Sequence, residues 1–160
     1  HGAISFLATF GVIAGVLVMS IPTTVFIETI GINIQTMVHH GGQVCIGLYL
    51  LIKGGACKTI GAELRGIAFF LGAVGTALIL DCTVIHLLPE GTTFDMFFLS
   101  PYFDTTLPVY VNIEPCVSFP VFVLLYVFPF ITVSLLIYAC RTSIPRLIAE
   151  HKNKKAIKAN

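Results

Sequence analysis

Charge is what this sequence has least of: only 11% of its 160 residues are Asp, Glu, Lys or Arg, less than half the roughly 25% usual in a soluble domain. With 56% hydrophobic residues and a mean hydropathy of +0.95, the composition excludes an ordinary soluble fold and is that of an integral membrane protein. The formal net charge is +1, so no overall basic field exists to hold nucleic acid or to draw in acidic substrates. Cysteine occurs five times but never as CxxC, and Cys45 and Cys82 sit inside apolar runs, so neither a disulfide framework nor zinc is expected. No basic segment leads into the first apolar run and no Met precedes His1, so no signal peptide is expected and the chain is read as a portion of a longer protein. No internal repeat is evident.

What the sequence has in abundance is long apolar runs. A hydrocarbon core of roughly 30 Å needs about 20 helical residues to cross, and four stretches are long enough: 2–21, 33–52, 66–88 and 117–140. Within lipid the backbone must satisfy its own hydrogen bonds, and runs without period-2 alternation suit helices rather than barrel strands. The expected fold is therefore all-α, a single transmembrane domain of four helices.

All nine Lys and Arg residues fall in two places. Lys53, Lys58 and Arg65 lie between the second and third runs, and the others follow the fourth. The remaining connections carry Glu28, and then Glu90, Asp95, Asp104 and Glu114. The positive-inside rule places the basic loop and the tail 141–160 in the cytoplasm, with both termini inside. That tail continues the last helix or lies on the membrane surface, with Leu147, Ile148 and Ile157 among its lysines.

The outer loop from Pro89 to Cys116 contains the aromatic segment Met96-Phe97-Phe98-Leu99-Ser100-Pro101-Tyr102-Phe103, whose proline bars a continuous helix. Aromatic rings favour the headgroup level, so it reads as an interfacial anchor or as a lid over a cavity. In the lid reading Phe98 and Tyr102 would touch substrate.

Polar residues in the second run are concentrated. Gln35, His39 and Gln43 follow i, i+4, i+8 along one helix face, and His40 reaches Gln43 at i+3. Gly41 and Gly42 beside them permit close helix packing or leave space for a ligand. In the third run Asp81 lies at a similar depth. A carboxylate in hydrocarbon needs a partner or a proton, and Arg65 is 16 residues, about 24 Å, away along that helix. Histidine is then the expected partner: Asp81 would accept from His39 or His40 and orient it as a base. The alternative is plain polar cross-linking between helices. His86, about 140° round from Asp81, reads as a last-turn histidine set against the helix dipole.

Several of these stretches together carry a resemblance. Phe10-Gly11, Gln35-Thr36-Met37-Val38-His39-His40-Gly41 and Gly47-Leu48-Tyr49-Leu50-Leu51 resemble the YwaF family of bacterial integral membrane proteins, in which a Gln is followed five residues later by His-Gly. Met96-Phe97-Phe98-Leu99 stands where that family has its outer NYMYL segment, with Asp95 in place of its Asn. The resemblance implies a multi-pass protein of the bacterial plasma membrane and makes this chain the later four spans of six or seven. The family is itself similar to a eukaryotic one credited with acyl transfer to ether phospholipids through a cysteine and a histidine. By that likeness His40 would be the base, and the cysteine would lie upstream of His1, so none of the five cysteines here inherits its role.

Two functions follow as expectations. One is a lipid-modifying acyltransferase near the outer leaflet, with His40 oriented by Asp81 or Gln43, His39 beside it, and Gln35 or Gln43 donating to an oxyanion. The other is a transporter or binding protein for a proton or small solute that titrates Asp81 with His39 or His40. Metal ligation by His39, His40, His86 and Asp81 is disfavoured because adjacent histidines diverge by about 100° on a helix. No cofactor is expected; the partners expected are membrane lipids and either upstream spans or a second copy.

Overall fold

A computed structural model describes residues 2–21 and 29–159, with the side chains of 146–148, 150, 152, 153 and 155–159 outside the description. Glu28, Leu147, Ile148 and Ile157, to which roles were assigned above, thus lie outside it. The described residues form helices and turns with no strand. Four helices dominate: α1 (Gly2–Ser20), α2 (Ile30–Ile52), α3 (Ile60–Val84, extended by a 3-10 turn Ile85–Leu87) and α4 (Phe119–Ala159). Three of them, α1, α3 and α4 as far as Pro145, are long and apolar enough to cross a membrane. α2 has the length, but Gln35, His39, His40 and Gln43 keep it out of that class.

Helix ends follow local chemistry. α1 stops at Ile21, the residue before Pro22, where the helical conformation is disfavoured and the backbone leaves it (φ −125°, ψ 60°). α2 ends at Gly54-Gly55, the second glycine at φ +74°. Thr59 caps α3, its hydroxyl accepting the Ala62 amide at 3.2 Å. This start lies six residues before the run expected from hydropathy, because the first turns of α3 include Glu63 and Arg65. α4 continues through Pro145 into the basic tail, so of the two readings of residues 141–159 the continued helix is the one found.

α1 is the hub. Its N-terminal turns pack on α3, its middle and C-terminal turns on α2, while α2 and α3 hardly meet. Close approach depends on glycine, although not chiefly on the Gly41-Gly42 pair. A Cβ at Gly42 would meet nothing within 4 Å, whereas one at Gly47 would sit 2.6 Å from the Leu7 carbonyl oxygen and one at Gly15 2.8 Å from that of His40. The core lies between α1, α3 and α4. Phe10 stacks on Phe70 at 4.3 Å between centroids, and Phe122, Val74, Tyr126 and Leu99 of the outer loop close around them.

Candidate functional site

Buried positions on α3 run Glu63, Gly66, Phe70, Val74, Ala77, Asp81. Their spacing of three and four residues makes one stripe that faces α1 and α4. It begins and ends with a fully buried carboxylate.

At the C-terminal end of α3, Asp81 is not joined to histidine. Its Oδ1 accepts the Met96 amide at 2.8 Å and its buried Oδ2 has no partner. The expected pairing with His39 or His40 is thereby corrected: those residues are on α2, which lies against α1 and not against α3. Asp95 continues the same strap by accepting the Ser100 amide at 2.9 Å. Burial, and then the nearby charge of Asp81, raises its carboxyl above the usual carboxylate range against the pull of the Ser100 and Leu99 amides. Between these two anchors Phe97 and Phe98 take positive φ of 61° and 59°, a conformation that costs side-chain-bearing residues about 1–3 kcal/mol each. The carboxylates hold the turn against that cost and drive Leu99 into the core.

On α2, His40 Nδ1 faces the Gln43 side-chain oxygen at 2.9 Å. A neutral ring in that pose carries its proton on Nδ1 and leaves Nε2 as the acceptor, the form a general base needs. His39 lies edge-on to His40 at 4.9 Å between centroids and is exposed, as is Gln35. Tyr102 and Phe98 are elsewhere. The Tyr102 hydroxyl is 3.3 Å from His86 Nε2 with the rings edge-on, and Phe98 is half-buried in the strap. The seven residues expected to form one site therefore fall into three places. Among the described residues no three His, Cys, Asp or Glu side chains gather as a metal ion would require.

A groove of about 670 Å³ lies between the C-terminal half of α1 and α4, lined by Ile13, Val16, Leu17, Pro129, Phe130 and Val133 among others. Leu107, Pro108 and Tyr110 of the loop between α3 and α4 line it as well. Among the described residues, Ser20 and Tyr110 bring the polar side chains to it, and burial raises the Tyr110 hydroxyl above its ordinary pKa. No residue of the aromatic segment 96–103 lines this groove.

Hydropathy did not single out the polar cluster at the N-terminal end of α3. The Ser134 hydroxyl donates to Glu63 Oε1, while Glu63 Oε2 and Ser5 Oγ are buried without partners. Cys57, fully buried at φ +55°, lies among them; burial, and then Glu63, pushes its thiol up to about 12. Arg141 Nε donates to the Leu51 carbonyl at 2.9 Å and so satisfies the C-terminal turn of α2. The signal in the sequence was the stripe itself, in which Glu63 is in phase with Asp81.

The chain matches no protein-family model, no curated protein and no solved structure.

Proposed function

We propose that this chain is a multi-pass protein of a bacterial plasma membrane that binds a membrane lipid, with an acyl chain lying in the groove between α1 and α4. In this reading all four long helices cross the bilayer, both termini are cytoplasmic, and the loop from Pro89 to Cys116 sits at the outer face. Exposed apolar side chains all round the bundle, such as Val38, Ile79, Leu124 and Phe128, suit lipid as solvent. For α2 the balance is closer, since His39 and Gln35 would face the same lipid.

The observation that carries the proposal is the groove. Its size is that of ligand cavities in general, its walls are apolar, and its polar groups, Ser20 and Tyr110, lie toward the end of α1 assigned to the outer headgroups. The chemistry proposed with it, as the resemblance to the YwaF family implies, is acyl transfer: His40 Nε2 takes the proton of a lipid hydroxyl as its oxygen bonds to the acyl carbon of a thioester donor, and the C–S bond breaks to release a thiolate that takes that proton.

A photo-crosslinking lipid in liposomes tests the binding. Label is expected on groove peptides of α1 and α4 and is lost in Val16→Trp and Val133→Trp; label spread evenly over all helices would refute it. A lipidomic comparison of His40→Ala with the unaltered protein tests the chemistry, since an unchanged lipid profile removes His40 as a base.

A second reading, movement of a proton, is favoured by the buried carboxylates at the two ends of the α3 stripe, each with one unpartnered oxygen. Asp81→Asn is then expected to abolish pH-driven flux in proteoliposomes, and unaltered flux would exclude it.

A further inference from the structure

A second groove, of about 530 Å³, lies between the last turn of α2 and the second half of α4. Neither proposed function uses it. It starts at Val133, which also lines the groove between α1 and α4 and stands near the midpoint of the apolar length Phe119–Pro145. From there it follows α4 past Leu136 and Ile137 to Arg141, with Leu51 and Ile52 of α2 as the facing wall.

Three observations bear on what this groove holds. The first is length. Val133 to Arg141 is eight residues, about 12 Å of helix, close to the roughly 15 Å that one leaflet contributes to a hydrocarbon core. An acyl chain whose headgroup sits at Arg141 therefore ends near Val133.

The second is the state of Arg141. Its Nε donates to the Leu51 carbonyl at 2.9 Å, which closes the last turn of α2 and restrains the plane of the guanidinium. That bond uses one donor only. The terminal nitrogens Nη1 and Nη2 make no hydrogen bond or ion pair among the described residues, and neither is sealed from the surface. A half-buried guanidinium restrained in this way, with its fork free, is arranged for two parallel bonds to a phosphate.

The third is charge. Among the described residues that line the groove, Arg141 alone is charged, and no carboxylate opposes it. Lys53, directly after α2, adds a second positive charge at the same end of that helix. Free phosphate would leave the apolar walls uncovered, and a zwitterionic headgroup would bring its own cation toward Arg141 and Lys53. The amphiphile that matches both wall and charge is an anionic phospholipid, of the kind that basic pockets between membrane helices hold.

We propose that the groove between α2 and α4 is a second lipid site, in which an anionic phospholipid sets its phosphate on the free nitrogens of Arg141 and lays one acyl chain along Leu136 and Ile137 as far as Val133. The site deepens the lipid-binding reading and rests on α2 and α4 both crossing the bilayer, but not on occupation of the groove between α1 and α4. In the orientation proposed above the lipid belongs to the cytoplasmic leaflet. Each leaflet then has its own groove, and Val133 is where the two chains meet.

The test uses the whole chain in neutral detergent, with thermal unfolding followed by circular dichroism. Dioctanoyl phosphatidylglycerol, dioctanoyl phosphatidylcholine, dioctanoylglycerol and inorganic phosphate are titrated in turn. A saturable rise in melting temperature is expected with phosphatidylglycerol, a half-saturating concentration at least tenfold higher with phosphatidylcholine, and no rise with the other two. Each variant is compared with its own unliganded melting temperature. Arg141→Gln is expected to raise the half-saturating concentration of phosphatidylglycerol at least tenfold, and Leu136→Trp, which fills the groove from an exposed position, at least threefold. Val16→Trp obstructs only the groove between α1 and α4 and should leave that concentration within twofold. Should Arg141→Gln not fold, Leu136→Trp decides the matter with Val16→Trp as its control.

Weaker binding in Val16→Trp with none in Leu136→Trp would put the lipid in the other groove, overturning this site and leaving the first reading in place. Protection by phosphatidylglycerol that Leu136→Trp weakens, in a chain whose α1–α4 groove takes no photo-label, supports this site while the first reading falls. No protection by phosphatidylglycerol, equal protection by phosphatidylcholine or dioctanoylglycerol, or a folded Arg141 or Leu136 variant that responds like the unaltered chain would each overturn the proposal.

Discussion

Asp81 is tied to Met96, fifteen residues further along the chain: its Oδ1 accepts the Met96 amide at 2.8 Å. A buried carboxylate in the last turn of α3 thus anchors the loop that follows it. Asp95, next to Met96, anchors the following turn through Ser100, so two acids in succession hold an aromatic strap that its own backbone strain would release.

Removing the first anchor should free the strap. Asp81→Ala leaves the Met96 amide buried without an acceptor, at a cost of about 1–3 kcal/mol, whereas Asp81→Asn keeps an oxygen in place. Limited proteolysis of the detergent-solubilised chain should cut the loop 89–109 several-fold faster in the alanine variant and at nearly the original rate in the asparagine variant. Equal resistance of the alanine variant and the unaltered chain would show that the amide is held by something else.

The second anchor makes the loop sensitive to pH. Asp95 has its folded pKa raised above the usual 3.8, so the folded loop binds a proton more tightly than the unfolded one. The associated stability is complete below that value and is lost as pH rises through the raised one. Hydrogen exchange at Ser100, corrected for the intrinsic pH dependence, should therefore show greater protection at pH 4 than at pH 7. Asp95→Asn should remove the difference.

Glycine substitutions separate contact from composition. Gly47→Ala forces a Cβ to within 2.6 Å of the Leu7 carbonyl oxygen and 2.5 Å of Val12 Cγ2, and should cost about 1–3 kcal/mol as α1 and α2 are pushed apart. Gly42→Ala meets open space and should be neutral or stabilising by up to about 1 kcal/mol. Thermal unfolding of the two variants measures this, and a Gly42 variant as unstable as the Gly47 one would contradict the packing.

The all-helical class and three of the apolar helices could be read from the sequence because they depend on composition and period. Partner choice could not. Side chains at matching depth on other runs point Asp81 to an imidazole, but its partner is a backbone amide returning from the loop. Matching depth also does not make neighbours: α1 separates α2 from α3. Glu63 was legible only through phase. It stands eighteen residues before Asp81, five helical turns on the same stripe, but a hydropathy window that begins at Gly66 leaves it in the loop. The groove depends on Pro108 and Tyr110 folding back over α1, a long-range contact that no local pattern encodes.

Cys57 should be the least reactive thiol for reasons of both access and acidity. It is fully buried, and its pKa, ordinarily 9.0, is pushed up to about 12. Only the thiolate attacks a maleimide, so at pH 8 the reactive fraction falls from about one in ten to about one in ten thousand, and it rises tenfold per pH unit until the thiol titrates. A variant retaining only Cys57 should therefore label at least a thousand times more slowly at pH 8 than one retaining only the exposed Cys116, and at the same rate once both are unfolded in detergent and heat. The folded state holds the proton more tightly, so stability tied to Cys57 is complete below pH 9.0 and falls as pH rises toward about 12. Rapid labelling of folded Cys57 would mean that the loop 53–59 opens often enough to expose Ser5 and Glu63, and the inner cluster would then be a site open to solvent rather than an enclosed one.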